Sequence, residues 1–184
     1  RSPEHHWLHE SFATHYAKQF QRDVFGADHY RWECRKELKR TLSAAEKDSR
    51  PIVHTKAGSN RYYPKGSLVL DMFKYVVGRE QFNKALANYL KEHSYKNVDT
   101  HDFYIAFLET LGYNLDWFFD QWLYRGGEPH YEVHYQSVTQ QNGNQVGQFM
   151  VEQTHEMNDH IGLFKMPIEF EVHYTDGSKE SKRV

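Results

Sequence analysis

The residues best suited to metal chemistry lie near the start of the sequence, in the stretch HHWLHESFATH at positions 5–15. Four histidines surround a single glutamate, Glu10, within this stretch. Imidazole nitrogens and carboxylate oxygens are common ligands of zinc in proteins. The helical zinc-protease motif H-E-x-x-H nevertheless does not occur in the sequence, so the stretch needs another explanation.

Spacing decides which of these histidines could share a metal ion if the stretch is helical. His9 and His15 would lie about 240° apart around a helix, which is too far for one ion. His5 and His9 have the i, i+4 spacing of a two-histidine site, but His6 stands where the motif needs a glutamate. We therefore expect a site at His5 and His9 to bind metal adventitiously rather than for catalysis.

Glu10 shares one stripe of the predicted helix with Ala13, Thr14 and Ala17. Small side chains would let a second helix approach closely, and the glutamate would then be a functional charge on a buried face. The alternative is a solvent-facing stripe that carries an ordinary glutamate. Composition alone favours this second interpretation, because most glutamates lie on protein surfaces.

Apolar residues recur with a helical period over the first two thirds of the chain. This pattern predicts helices over residues 7–22, 28–47, 65–77, 79–93, 100–111 and 115–124. Proline, glycine, serine and asparagine residues predict a loop over 49–64.

The period changes to 2 after Pro129, where apolar residues alternate with polar ones, most regularly over 166–174. Asn142-Gly143 is typical of a tight hairpin turn. We therefore predict an α+β fold with a helical part at residues 1–128. The rest, residues 129–184, is predicted to be an antiparallel β domain of about three or four strands, truncated at its end.

Composition excludes several classes of protein. A formal net charge of −2 is not that of a nucleic-acid binder, and the single cysteine, Cys34, excludes an internal disulfide framework. No apolar run approaches the roughly 18 residues of a membrane span. Because the chain starts with Arg1 rather than methionine, we expect it to begin inside a longer gene product. The sequence does not indicate a cellular compartment.

The segment WLHESFATHYAKQF resembles the W-L-N-E-G-F-A segment of the aminopeptidase N-type gluzincins, a family of zinc exopeptidases. In that family H-E-x-x-H supplies two histidine ligands and a general base, and a glutamate on the next helix is the third ligand. The resemblance implies that Glu10 is this third zinc ligand and that the two histidine ligands would precede Arg1. It also implies the helical part of a thermolysin-like catalytic domain, followed by a partial antiparallel β-sandwich.

A second segment, RYYPKGSLVLDMF, resembles the family's Y-x-K-G-(A/S) stretch, whose tyrosine donates to the oxyanion of the tetrahedral intermediate. Tyr63 matches that tyrosine, so the resemblance implies a catalytic role for it. A third match over 95–133 implies scaffold roles for Thr100, Asp102, Pro129 and the residues FFDQWL at 118–123.

This chain departs from the family pattern in two places next to the implied zinc ligand. His9 stands where asparagine is usual, and Ser11 stands where glycine is usual. The family's G-A-M-E-N-like segment, which holds the free amine of the substrate, is also missing from the chain.

The resemblance implies that the parent protein is a zinc aminopeptidase that removes N-terminal residues from peptide substrates. Because one carboxylate cannot hold a catalytic zinc, we expect this chain alone to be inactive and to hold no zinc tightly. Two alternatives stay open: a non-catalytic scaffold that keeps the peptidase fold, and a stand-alone helical interaction domain with a β appendage. Apolar surfaces exposed by truncation would also allow the chain to self-associate.

Overall fold

The computed structural model describes residues 2–184. Within them the α-helices are α1 (His6–Phe25), α2 (Ala27–Ala45), α3 (Gly66–Val77), α4 (Arg79–Glu92), α5 (Thr100–Leu111) and α6 (Asp116–Phe119). A short 3₁₀ turn, Pro3–His5, precedes α1. π-Helical turns occupy Arg61–Lys65, directly before α3, and Asp120–Tyr124, directly after α6. The predicted helices are therefore confirmed, with ends that differ by a few residues.

The predicted loop over residues 49–64 is wrong at its C-terminal end. The chain is already helical from Ser59, and Pro64 lies inside the π-helical turn. Pro64 is one of the residues that predicted the loop. It is instead the sixth residue of this helical stretch, where the N–H that proline lacks leaves one intrahelical hydrogen bond unmade.

The helices enclose a core that consists largely of aromatic rings. Phe73 of α3 lies at its centre, with ring centroids 4.8 Å from Phe118, 4.9 Å from Phe107 and 5.9 Å from Phe82. All four rings are almost fully buried. Because these residues come from four different helices, the core fixes how α3 packs against α4, α5 and α6.

The N-terminus of α5 is joined to the start of α1 by hydrogen bonds. The Trp7 indole N–H donates to Thr100 Oγ1 at 2.9 Å, and His5 Nδ1 lies 3.0 Å from the same oxygen. The Asp99 side chain accepts from the backbone N–H groups of His101 and Asp102 and so caps α5. Asp99 is therefore the N-cap of α5, and Thr100 is the first residue of the helix.

The C-terminal third consists of two antiparallel hairpins, which confirms the predicted α+β class. β1 (Tyr131–Thr139) pairs with β2 (Gln145–Gln153) through a turn that contains Asn142-Gly143, and β3 (Glu169–His173) pairs with β4 (Lys179–Arg183). Within the described residues the hairpins form separate two-stranded sheets. They touch where the rings of Phe149 and Phe170 lie 4.6 Å apart.

A connecting segment between the two hairpins packs onto the helical part. The Phe164 ring lies 4.9 Å from that of Trp122, and Ile161 is buried in the same core. The Gln121 side chain donates to Lys165 O at 2.6 Å and accepts from Lys165 N at 2.8 Å. Residues beyond position 128 thus contribute to the helical core, and the division into 1–128 and 129–184 stays a prediction.

No helix within residues 2–184 combines the length and the apolar character that crossing a lipid bilayer requires.

Candidate active site

Glu10 and Tyr63, separated by 53 positions in the sequence, face each other in the structure. Glu10 lies on α1 with its side chain 27% exposed, and Tyr63 lies in the π-helical turn before α3 and is 38% exposed. Hydrogen bonding to the Glu10 carboxylate raises the pKa of the Tyr63 phenol, and partial burial adds to this effect. The structure therefore places the two sequence-predicted site residues at one surface position.

The Glu10 carboxylate also contacts the residue that precedes it. His9 Nε2 lies 3.2 Å from Glu10 Oε1, and the His9 side chain is 57% exposed. The His6 ring lies between the His9 ring, at 5.7 Å, and the Tyr62 ring, at 5.9 Å. Histidine in place of the usual asparagine thus puts a titratable ring directly beside the implied ligand.

In the described part of the chain, residues 2–184, the stripe of small residues next to Glu10 (Ala13, Thr14 and Ala17) faces solvent. Ala13 and Ala17 are exposed, and Thr14 is half-buried, with its hydroxyl donating to Glu10 O at 2.8 Å. The buried face of α1 is a different one, formed by Trp7, Leu8, Ser11, His15 and Lys18. The interpretation of Glu10 as a charge on a buried face is therefore wrong for the chain as described.

The first residue of the π-helical turn is anchored to the end of α2. Arg61 is 5% exposed, and its guanidinium donates to Ala57 O at 3.0 Å and to Asp48 O at 2.6 Å. It also lies 2.6 Å from the Asp48 carboxylate. Burial would raise the pKa of Asp48, but a hydrogen bond from the Arg50 backbone N–H and the charges of Arg61 and Arg50 lower it. A buried guanidinium with these partners holds the start of the turn in place.

The last residue of the turn is anchored to the segment that leads into β1. Lys65 is 4% exposed, and its Nζ donates to Gly127 O at 3.1 Å and to Glu128 Oε1 at 2.7 Å. Burial lowers the pKa of Lys65 despite the nearby Glu128 carboxylate. Between these two buried cations, Tyr63 is the residue of the turn that presents its side chain to Glu10.

A third anchor joins the turn to α1 itself. The Ser11 hydroxyl, which is fully buried, donates to Tyr62 O at 2.6 Å. The approach is very close, because a Cβ atom at Gly66 would lie only 1.7 Å from Ser11 Oγ. Glycine at position 66 is therefore required by the crossing of α1 and α3.

The two-histidine site considered from the sequence, His5 and His9, stays a prediction, and one ring nitrogen of His5 is engaged elsewhere. His5 points its Nδ1 at Thr100, where it lies 3.3 Å from the backbone N–H, and so serves the junction of α1 and α5. Residues 2–184 contain no group of three or more histidine, cysteine or acidic side chains that could hold a metal ion. A zinc ion bound at Glu10 would require further ligands from outside these residues.

A buried ionic cluster that the sequence patterns did not predict lies behind the site, between α1, α2 and α3. Lys18 Nζ lies 2.7 Å from Asp71 Oδ2 and also pairs with Glu37, while His15 Nδ1 lies 3.1 Å from Asp71 Oδ1. The Tyr30 hydroxyl donates to Asp71 Oδ1 at 2.6 Å. Lys18 and Asp71 could have indicated this cluster, because each is a charged residue on a helix face that is otherwise buried. Such charges are rarely buried without partners.

Comparison with known proteins defines the class of this helical domain as a peptidase. The family profile described as "Peptidase family M1 domain" matches residues 2–122, which is more than half of the chain. The chain therefore belongs to peptidase family M1. This finding confirms the resemblance to the aminopeptidase N-type peptidases.

Curated relatives are aminopeptidases from several kingdoms of life. The chain is 28% identical over 180 residues to "Probable aminopeptidase 1" of Sulfurisphaera tokodaii, covering 90% of this chain and 22% of the relative. It is 30% identical over 135 residues to "Leucyl aminopeptidase" of Saccharolobus solfataricus, covering 67% of this chain and 17% of the relative. The chain thus spans less than a quarter of the length of these relatives.

A solved structure with a similar fold is aminopeptidase A of Legionella pneumophila in complex with aspartic acid. Its TM-score is 0.65 at 18% sequence identity, and the match covers 99% of this chain and 20% of that one. At this identity the likeness shows the fold alone. It extends over the hairpins as well as the helices, which places the whole α+β chain within one known architecture.

Proposed function

We propose that the protein of which this chain is a part is a zinc-dependent aminopeptidase. Its catalytic site would include Glu10 as a zinc ligand and Tyr63 as a hydrogen-bond donor to the reacting carbonyl. The observation that carries this proposal is that the Tyr63 phenol lies close enough to the Glu10 carboxylate for its pKa to be raised, with both side chains partly exposed. Membership of peptidase family M1 and the aminopeptidase names of the relatives support it.

Glu10 has the properties that a zinc ligand at this place would need. Carboxylate oxygen is an accepted zinc ligand, and the side chain is open to further ligands because it lies at the surface. When bound, zinc would supply Lewis acidity to the scissile carbonyl and would lower the pKa of a water molecule. The protein contributes the fixed position of the carboxylate, since α1 is held from below by its buried face.

Tyr63 suits a role as a neutral donor to developing negative charge. A phenol has an ordinary pKa of about 10, and the neighbouring Glu10 raises the pKa of this one further. Tyr63 therefore keeps its proton at neutral pH and can donate it in a hydrogen bond to an oxyanion. One donor of this kind typically contributes about 2.7 to 4 kcal/mol to transition-state stabilisation.

The substrate class that follows is the N-terminal end of a peptide. The preferred N-terminal residue does not carry over from the relatives, because their names differ, with leucyl aminopeptidase in Saccharolobus solfataricus and glutamyl aminopeptidase in Bos taurus. Taken alone, residues 1–184 are proposed to be inactive. Glu10 is a single ligand, and structural or catalytic zinc needs at least three from the protein.

The test compares Glu10→Gln with Glu109→Gln in the longer protein that contains this chain. Glu109 is an exposed glutamate on α5, so its substitution controls for the loss of one carboxylate. We expect Glu10→Gln to reduce bound zinc, measured by elemental analysis after dialysis, and to abolish the release of N-terminal residues from aminoacyl-nitroanilides. Glu109→Gln should retain both zinc and activity.

Two outcomes would contradict this proposal. If the longer protein binds no zinc and releases no residues, the alternative of a non-catalytic scaffold that keeps the peptidase fold is the better one. If the 184-residue chain itself retains one zinc per molecule after dialysis, the predicted inability of this chain to hold the metal is wrong.

A further inference from the structure

Ser11 joins the two segments of the chain that carry the proposed site residues. It directly follows Glu10 on α1, and its hydroxyl donates at 2.6 Å to the carbonyl oxygen of Tyr62, which directly precedes Tyr63. Each end of this hydrogen bond is thus one residue away from a member of the proposed site. Within residues 2–184, no other side chain of α1 donates a hydrogen bond to the Tyr62 carbonyl.

The surroundings of Ser11 exclude a substitute for its hydroxyl. Ser11 is fully buried, so water cannot readily take over the bond to Tyr62 O. Gly66 leaves the space that the Ser11 side chain fills, since a Cβ there would lie 1.7 Å from Ser11 Oγ and 2.7 Å from Ser11 Cβ. The hydroxyl is therefore held in one position, and the carbonyl that accepts from it is held with it.

A π-helical turn needs such an anchor more than an ordinary helical turn does. Its i→i+5 hydrogen bonds are uncommon and persist in short segments that the surrounding structure supports. Arg61 and Lys65 fix the two ends of this turn, but both reach away from α1, toward α2 and toward the segment before β1. The Ser11 hydroxyl supplies a hydrogen bond that relates the middle of the turn to the helix that carries Glu10.

We propose that Ser11 is a positioning residue, whose hydrogen bond to the Tyr62 carbonyl sets the position of the Tyr63 hydroxyl relative to Glu10. The peptidases that this chain resembles usually have glycine at this place, so the hydroxyl is a means of positioning particular to chains with serine. The inference rests on the site roles proposed above, but the geometry that it concerns can be measured without catalysis.

The experiment is NMR spectroscopy of the 184-residue chain with isotope-labelled tyrosine. The Tyr63 signals are identified by their loss in Tyr63→Phe, and the readout is the nuclear Overhauser effect between the Tyr63 ring and the Glu10 side chain. We expect this effect in the unchanged chain and its loss in Ser11→Ala. Ser94→Ala is the matched control, because Ser94 also donates to a backbone carbonyl at 2.6 Å, that of Leu90, far from the site.

The inference is overturned if Ser11→Ala keeps the native spectrum elsewhere and also keeps the contact between Tyr63 and Glu10. If Ser11→Ala does not fold, Ser11→Cys decides the question. It keeps nearly the same volume and has only a weak donor, so the same loss of contact is expected. Absence of the contact from the unchanged chain would also overturn the inference.

In the longer enzyme, Ser11→Ala should reduce kcat by roughly 10-fold, the effect of about one hydrogen bond, and change KM by less than about 2-fold. Ser94→Ala should leave both constants unchanged. If the longer protein has no peptidase activity at all, the proposed function fails, while the spectra still decide whether Ser11 positions Tyr63.

Discussion

Two adjacent tyrosines in the π-helical turn have different surroundings, and this difference supports the role proposed for Tyr63 rather than for Tyr62. Tyr63 presents its hydroxyl to Glu10 at the surface. Tyr62 is half-buried, and its hydroxyl donates to His54 O at 3.3 Å. The same functional group is therefore available for chemistry at one position and engaged in the fold at the next.

Replacing each tyrosine by phenylalanine in the longer enzyme separates these roles. Tyr63→Phe should reduce kcat by about 100-fold or more with little change in KM, because an oxyanion donor acts in the transition state. Tyr62→Phe removes a hydroxyl of identical chemistry one residue away. It should leave kcat within about 2-fold and cost about 1 kcal/mol of stability. Steady-state kinetics and urea unfolding of both variants measure these effects, and equal losses of kcat would contradict the assignment to Tyr63.

The resemblance to the peptidase family singled out Glu10 and Tyr63 because each lies in a short segment that matches a family motif, and their roles stay predictions. It could not show that they face each other, since this depends on the crossing of α1 and α3 at Ser11 and Gly66. The contact of His9 with Glu10 could not be predicted from the sequence either. Side chains at i and i+1 point about 100° apart on a helix, so spacing alone does not suggest that they touch.

The side-chain carboxylate of Asp71 contacts groups on both helices that pack against α3 behind the site, α1 and α2. Asp71 of α3 accepts from Tyr30 of α2 and pairs with His15 and Lys18 of α1. Burial alone would raise the pKa of Asp71, but hydrogen bonding from His15 and the charge of Lys18 outweigh it and hold the pKa at about 2. The ionised carboxylate therefore stabilises the packing of α1, α2 and α3.

This pKa shift predicts a specific loss of stability in acid. The folded-state pKa of about 2 lies below the unfolded value of about 3.9, so the stabilisation is present above pH 3.9 and is lost as the pH falls toward 2. Its size is on the order of 2 kcal/mol. Free energies of unfolding should differ between the unchanged chain and Asp71→Asn near pH 6, and this difference should shrink between pH 4 and pH 2.

Asp28→Asn is the control, because the Asp28 carboxylate pairs with Arg31 in a fully exposed position on α2. Its effect on stability should be small and nearly independent of pH in the same range. A constant difference for Asp71→Asn down to pH 2 would show that the carboxylate does not have the lowered pKa.

The ion pair of Lys65 and Glu128 joins the π-helical turn to the segment before β1. Removing only one of the two side chains should reduce the free energy of unfolding. Lys65→Met leaves the Glu128 carboxylate largely buried without its cation, which should reduce the free energy of unfolding by about 3 kcal/mol. The double variant Lys65→Met, Glu128→Gln should lose clearly less than the sum of the two single variants. Urea unfolding at neutral pH measures this cycle, and additive losses would show that the two side chains do not interact.

The periodicity of apolar residues predicted most of the helices, because each helix buries one apolar face. Glycines predicted two of the ends, since α3 and α5 stop at Gly78 and Gly112. The two π-helical turns were not predictable in this way. Their hydrogen bonds depend on tertiary anchors such as Arg61 and Lys65, which a local pattern does not reveal. Strand β4, with the sequence KESKR, has no apolar alternation and forms because it pairs with β3.

The molecule as a whole exposes more surface than a compact protein of its size. Its accessible surface is 12091 Å², whereas a compact monomer of 22.0 kDa exposes roughly 9,300 Å². Part of the excess is apolar and lies on α1, where Tyr16, Phe20 and Val24 are 47%, 68% and 55% exposed at successive i, i+4 positions. We call these three residues the α1 apolar face.

We expect the 184-residue chain to self-associate through the α1 apolar face, because contiguous exposed apolar surface drives association in water. Sedimentation velocity should show an average mass that rises with concentration. Phe20→Glu should weaken this association, whereas Leu90→Glu, at a similarly exposed apolar position on α4, should not. A chain that stays monomeric at high concentration, or that responds equally to both changes, would contradict this expectation.

The π-helical turn has a consequence for helical phase. Tyr63 precedes Gly66, Leu70, Phe73 and Val77 at spacings that would put it on their buried face in a continuous α-helix. A turn closed by i→i+5 bonds rotates the chain less per residue, so it shifts the phase between Tyr63 and α3 and leaves the phenol at the surface. Removing one residue of the turn before Tyr63, such as Tyr62, would restore the α-helical phase between Tyr63 and α3. The phenol would then rotate toward the core, away from Glu10, although both proposed catalytic residue types would still be present in the sequence.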